Sequence, residues 1–293
     1  MRHMLSNEHI KNNLTKAQVV EAVMASATLH IKKYVVGFIT FITRWCPSTH
    51  TDICRWGEMT ITLESVATLL SLPVAGNIHF ELSAEEEVMF DSLVKKAKGY
   101  NQKECDEKYF YTWWVSEWFP MQPKAGQVLD DVLSVAAFLS LCLSRDVFND
   151  GPGKKTIRQK LVMFVIKLAQ GVVLPLGSLF LGSLYSHLDS LAANMYASNR
   201  YMKVESHIHI AFLQACLWEQ FKGYAHVPAV SFSSLYGGSR ILRWWKRRPN
   251  PGLKLIDFFD NVHAIDFRPW EPVHSSMVQP NTFVVVSDTM LHM

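Results

Sequence analysis

The sequence predicts a mainly α fold: a single-domain, bundle-like core of many helices with little or no sheet. Three observations carry that prediction. Apolar residues recur at spacings of three and four along most of the chain, which is the pattern of helices with one buried face. Only one short segment reads as a strand, Thr282 to Val286, where Phe283, Val284, Val285 and Val286 follow one another. No Pro/Gly/Ser-rich linker and no repeat of fixed period divides the body, and 49% hydrophobic content over 293 residues is ample for one large core. The division drawn is a tail over 1–15, a helical domain over 16–272 and a short C-terminal segment over 273–293.

From Lys16 to Trp45 one long helix is expected, because Val20, Val23, Ala27, Ile31, Val35, Phe38 and Ile42 share a face and Pro47 ends the pattern. The next helix has Thr60 and Thr62 as caps for its free amides, Leu63, Val66, Ala67, Leu69 and Leu70 as its apolar side, and Pro73 and Gly76 as its stop. Ser83 before Glu85, Glu86 and Glu87 marks another start, with acidic groups favoured by the helix dipole, Val88, Leu93 and Val94 turned inward, and Gly99 closing it. Asn101 to Lys108 is polar and reads as a loop. Tyr109 to Phe119 then gathers Tyr109, Phe110, Tyr111, Trp113, Trp114 and Trp118, a density that belongs to core or interface.

Further helices are expected over Val128–Leu143, Thr156–Gln170, Leu176–Met195 and Glu205–Phe221, separated by the turn NDGPGKK at Asn149–Lys155 and by Gly171. The stretch Leu161 to Tyr185 is apolar enough to suggest a membrane span, but Lys167, Gln170, Gly171 and Pro175 interrupt it. Two buried helices meeting near Gly171 and Pro175 are expected there, and no membrane association. The opening MRHMLSNEHIKNN has no apolar stretch of the length a secretory signal needs. Five cysteines without framework spacing fit a reducing compartment, and a formal charge of +3 does not demand nucleic acid as a partner.

The segment Arg55 to Gly76, RWGEMTITLESVATLLSLPVAG, orders a bend at Gly57, a cap, an apolar helix and a closing turn, and RWCPSTH precedes it with Arg44, Trp45, Pro47, Thr49 and His50. On these residues, and on the aromatic ACLWEQFKGY of Ala215–Tyr224 and the FRPW of Phe267–Trp270, the chain resembles the plant mobile domain family of MAIN-like proteins, also labelled "aminotransferase-like". The resemblance covers roughly residues 30–272. Its motif positions are Trp45, Pro47, His50, Gly57, Glu58, Met59, Thr60, Leu63, Leu70, Pro73, Gly76 and Trp270, all expected to be structural. The resemblance implies a nuclear protein-interaction module without catalytic activity or cofactor. It also implies a role in transposon silencing, genome stability and meristem maintenance, with a serine/threonine phosphatase of the type 7 class as a possible partner. Two departures stand out. Ser65 occupies a position where the family usually has an acidic residue, so Thr62 must cap alone, and the family usually continues further past FRPW, so the chain reads as a shortened member.

Candidate chemistry is sparse. Cys46, His50 and Cys54 offer three zinc ligand types, but Pro47 opposes the helix that would align them and a fourth ligand is not evident, so no metal is expected. His207 and His209, two residues apart, fall on different faces of a helix and read as ordinary polar and core histidines. There is no G-x-S-x-G, no activated cysteine and no phosphate cup for pyridoxal phosphate; the tract Ser231–Ser239 lacks GK[ST]. GNIH at Gly76–His79 lacks the acidic residue of a phosphatase metal site. Asp257, Asp260, Asp266 and Glu271 have no spacing that converges on a metal. The cluster RILRWWKRR interleaves Arg240, Arg243, Lys246, Arg247 and Arg248 with Trp244 and Trp245. It reads as a helix with its tryptophans in the core and its cations solvated, ended by Pro249 and Pro251. The alternatives are a partner or nucleic-acid surface, as in a transposon-derived nucleic-acid binder, and a nuclear import signal. With Trp113, Trp114 and Trp118, the stretch Arg243–Arg248 is the expected partner surface.

Overall fold

The computed structural model describes residues 7–32, 34–98, 109–120, 132–148, 156–157, 159–197, 208–225, 228, 238–248, 250, 252–267 and 269–270. Helix α1 (Glu8–Lys16) starts where the Asn7 side chain accepts from the amides of His9 and Ile10, and Ile10 and Leu14, one turn apart, are fully buried. The boundary drawn at Lys16 therefore cuts a core helix, whose Asn13 side chain also donates to the Ala169 carbonyl at 3.2 Å. The single helix expected from Lys16 to Trp45 is three separate pieces, the end of α1, α2 (Val20–Thr28) and α3 (Val35–Ile42). Gln18 turns the chain with φ 58°, and residues 29–32 leave the helix because Lys246 N–H donates to His30 O at 2.7 Å and Gln214 bonds Lys32 O and Tyr34 N–H. Tertiary bonds override the helical periodicity here.

Next come the strands β1 (Trp45–Cys46), β2 (Thr51–Cys54) and β3 (Gly57–Met59), an antiparallel sheet in the order β1-β2-β3 with Trp45 opposite Asp52 and Asp52 opposite Met59. Gly57 sits across from Cys54 with φ 149°, a conformation that favours glycine. The mainly α class holds, but this sheet lies where only a bend and a cap were expected. Helix α4 (Leu63–Leu70) is capped by Thr62, whose Oγ1 accepts from Ser65 N–H at 3.2 Å, as expected. Its stop is Ser71 in the left-handed region, φ 54°, rather than Pro73 or Gly76. Those two strap the next turn to the start of the distant helix Leu176–Ala197: Pro73 O accepts from Gly177 N–H, and a Cβ at Gly76 would stand 2.5 Å from Val173 O.

Helix α5 (Ala84–Lys98) opens with a reciprocal capping box. Ser83 N–H donates to Glu86 Oε2 at 2.8 Å and Glu86 N–H to Ser83 Oγ at 3.3 Å, while Glu86 also pairs with Lys167 at 3.1 Å. A short strand β4 (Tyr109–Phe110) leads into α6 (Tyr111–Trp118), whose Trp114 and Trp118 are buried, Trp114 Nε1 donating to Ala137 O. Trp114 and Trp118 are core, which removes them from the expected partner surface, while Trp113 is half-buried. The central helix α7 (Val132–Cys142) is buried from Ser134 to Cys142 and continues as a π-helical turn, Leu143–Val147. β5 (Thr156–Ile157) pairs with β4, so the expected helix start at Thr156 is instead a strand, and α8 (Gln159–Ala169) packs along α7.

Gly171, at φ 88°, and Pro175 separate α8 from α9 (Leu176–Ala197), as the interruptions in the apolar run indicated, and no helix among the described residues is long and apolar enough to cross a membrane. Helix α10 (Ile210–Gln220) is buried continuously from Ala211 to Trp218. A 3-10 turn at Arg240–Trp244, helix α11 (Leu255–Phe259) and a 3-10 turn at Val262–Ala264 complete the described fold. One buried apolar cluster runs from Ile10 to Trp270. The loop expected at Asn101–Lys108, the turn at Asn149–Lys155, the stops at Gly99, Pro249 and Pro251, His207 and the strand at Thr282–Val286 lie outside the described residues.

Candidate functional site

Three of the motif residues, Trp45, His50 and Thr60, meet at one place, the contact of the β1-β2-β3 sheet with α9. Trp45, 1% exposed, donates from Nε1 to Asp189 Oδ1 at 2.7 Å, and the His50 ring bonds Asp189 Oδ2 at 3.0 Å. His50 has φ 53°, at the end of the exposed turn that Pro47 begins, and its ring stacks on Tyr185 with centroids 5.1 Å apart. Thr60 Oγ1, expected as a cap, instead donates to His50 O at 2.7 Å and meets the Tyr185 hydroxyl at 2.9 Å, while that hydroxyl donates to Ile61 O. Tyr185 and Asp189 were not singled out in the sequence; they lie one turn apart on α9, among several other polar residues of that helix that mask the signal. Glu58 lies on the outer face, accepting from Thr51, whereas Met59 and Leu70 are buried and Leu63 is half-buried. Trp270 is elsewhere, beneath the Arg240 guanidinium.

The middle strand holds an anomaly. Asp52 is 0% exposed, and neither carboxyl oxygen has a hydrogen-bond partner. Burial pushes its pKa well above the ordinary carboxylate range, against the opposing pull of Arg44, which is itself bonded to Asp260 at 2.7 Å and to Ile53 O. Burial also pushes the Cys54 thiol up to about 12, whereas hydrogen bonds from Ser48 and Thr49 bring the Cys46 thiol down to about 7. Cys46, His50 and Cys54 do not converge: His50 is turned to Asp189, and among the described residues no group of three His, Cys, Asp or Glu is placed to hold a metal. His209 caps α10, its Nδ1 accepting from Phe212 N–H and its Nε2 donating to Asp146 O at 2.7 Å.

The basic cluster forms a second centre, and its first half is not a solvated helix face. Glu219, near the end of α10, accepts from Arg240 Nε and Nη2, from Arg243 Nη1 and from Trp244 Nε1, at 3.0, 2.7, 3.2 and 2.9 Å. Arg240 and Trp244 are buried, at 7% and 2% exposure. The turn is anchored further by Ser239 Oγ, which donates to Leu69 O. Trp245, Lys246 and Arg248 stay outward, with Lys246 Nζ 4.3 Å from the centre of the Trp245 ring, while Arg247 bends back toward Pro228 O. The backbone of 246–247 pairs with that of 30–32, which sets these side chains beside exposed Lys32 and the start of α3. The outer face of α3 is apolar, with Val35, Val36 and Ile39 exposed.

Comparison with known proteins agrees with the motif geometry. The family model described as plant mobile domain matches residues 18–290, extending beyond both ends of the 30–272 span drawn from the motifs. No curated protein and no solved structure matches the chain. With Trp45, His50 and Thr60 of the motif gathered on one sheet-helix contact and the match running over nearly the whole length, the chain belongs to the plant mobile domain family.

Proposed function

We propose that this chain is a non-enzymatic protein-interaction module of the nucleus, serving transposon silencing, genome stability and meristem maintenance. The observation that carries the reading is the outer face of α3, where Val35, Val36 and Ile39 are 57%, 62% and 47% exposed. An apolar ridge left in water marks a surface that a partner covers. Lys32, Lys246 and Arg248 stand exposed beside it, so the partner supplies an apolar strip edged by acidic groups, and a serine/threonine phosphatase of the type 7 class is the first to test. The polar groups of the motif support a non-catalytic reading, since Asp189 is spent on Trp45 and His50, and Thr60 on His50 and Tyr185.

The test is a pull-down of tagged chain from nuclease-treated plant nuclear extract, comparing wild type with Val36→Glu/Ile39→Glu. A type 7 phosphatase or another identified protein held by the wild type and lost by the variant is the expected result. A second reading, direct nucleic-acid binding, draws on the outward Lys246–Trp245 pair and Arg248. It predicts capture that disappears with nuclease and with salt, and that outcome would replace the first reading.

A further inference from the structure

The Glu219 centre opens into a cavity of about 360 Å³, a volume in the range of small-molecule sites. Trp218, Phe221 and Trp244 line it, together with the cations Lys222, Arg240 and Arg243 and the carboxylates Glu219 and Asp266. Among the described lining residues three cations face two carboxylates, one positive charge in excess. The hydrogen bonds show where that excess lies. Glu219 is saturated by four N–H donors, and Arg240 spends its Nη2 on Pro269 O as well. Arg243 gives up only Nη1; its Nε is shut off from solvent without an acceptor and its Nη2 makes no hydrogen bond. Lys222 is held only by a 3.6 Å ion pair with Asp266 and remains largely exposed.

We propose that this cavity binds a small anion. Its phosphate or carboxylate group is taken by Arg243 and Lys222, while Trp218, Phe221 and Trp244 are buried behind the cavity wall. A guanidinium whose Nη2 is unspent, beside an exposed ammonium, is suited to an anion that accepts from both, and partial burial strengthens such bonds over their value in water. Asp266 competes with the ligand for Lys222, so its removal tightens binding. The site is separate from the apolar face of α3 and stands or falls independently of it.

The experiment titrates the full chain with phenyl phosphate, benzoate and, as the neutral control, phenol, following tryptophan fluorescence and thermal stability. Saturable quenching and a raised melting temperature with the anions, and neither with phenol, are expected; the relative strength of phenyl phosphate and benzoate distinguishes a phosphate from a carboxylate head. Arg243→Gln and the surface variant Lys222→Gln each weaken binding by roughly tenfold, while Asp266→Asn tightens it. Absence of any response up to millimolar anion overturns the proposal, as does unchanged affinity in Lys222→Gln and Asp266→Asn. A response to a single-stranded oligonucleotide without one to phenyl phosphate also overturns it, assigning the cations to a polymer surface.

Discussion

Two buried carboxyl groups, Asp52 in the motif sheet and Glu219 under the basic turn, share chemistry and near-complete burial but have opposite surroundings. Glu219 receives four N–H donors and holds Arg240, Arg243 and Trp244 in place. Asp52 has no donor at all, and its nearest cation, Arg44, is turned to Asp260. A buried carboxyl group is an organising centre when its partners arrive with it, and a standing cost when they do not. The same protein contains both cases, so each serves as the control for the other.

The largest expected effect comes from removing the saturated group. Glu219→Ala leaves Arg240, at 7% exposure, and Arg243 without their carboxylate, and destabilisation of about 3 to 5 kcal/mol is expected in chemical denaturation. Loss below 1 kcal/mol would mean that the guanidiniums find other partners and that the cluster is not an organising centre.

The opposite sign is expected at the orphan. Asp52→Val, a β-branched residue in a strand, removes an unpaired polar group and should stabilise by about 1 to 3 kcal/mol. The pH dependence separates this from simple repacking. Because the folded-state pKa of Asp52 is raised, its own contribution to stability is greatest below the ordinary carboxylate range and falls as pH climbs toward the raised value, by about 1.4 kcal/mol per unit. In Asp52→Val that decline disappears, and a variant whose stability keeps the wild-type slope would show that Asp52 is not its source.

This contrast also explains what the sequence disclosed and what it hid. A strand is read from alternation of apolar and polar residues, but in β2 the buried positions are Asp52 and Cys54 while Ile53 is 44% exposed, so the polarity of the pattern is inverted and the sheet is invisible to it. The break at Gln18 and the extended path after Thr28 carry no glycine or proline; the second is imposed by bonds to Arg247, Lys246 and Gln214, residues about two hundred positions away. Local signals were legible where the chemistry is local, as at Thr62, at Ser83 before its acidic run, and at Gly171 and Pro175. The motif was legible as a string, but its centre was not, because Asp189 lies 139 residues from His50. Likewise Arg240 and Arg243 read as solvated cations until Glu219 is placed beside them.

Glu86 tests the intermediate case, a buried carboxylate with partial support. Burial raises its pKa, yet the Ser83 N–H and Lys167 outweigh burial and leave it lowered overall. Its contribution is therefore present above the ordinary carboxylate range and is lost as pH falls through the lowered folded value, the reverse of Asp52. Ser83→Ala removes the hydroxyl that accepts from Glu86 N–H but leaves the Ser83 backbone donor, so a loss of about 1 kcal/mol at neutral pH is expected. Acid sensitivity should shrink only slightly in that variant, whereas Lys167→Met, which removes the ion pair, should shrink it more. If the two variants lose acid sensitivity equally, the cap and not the cation sets the behaviour of Glu86, and the partner count that separates Glu219 from Asp52 would have to be restated in terms of backbone donors.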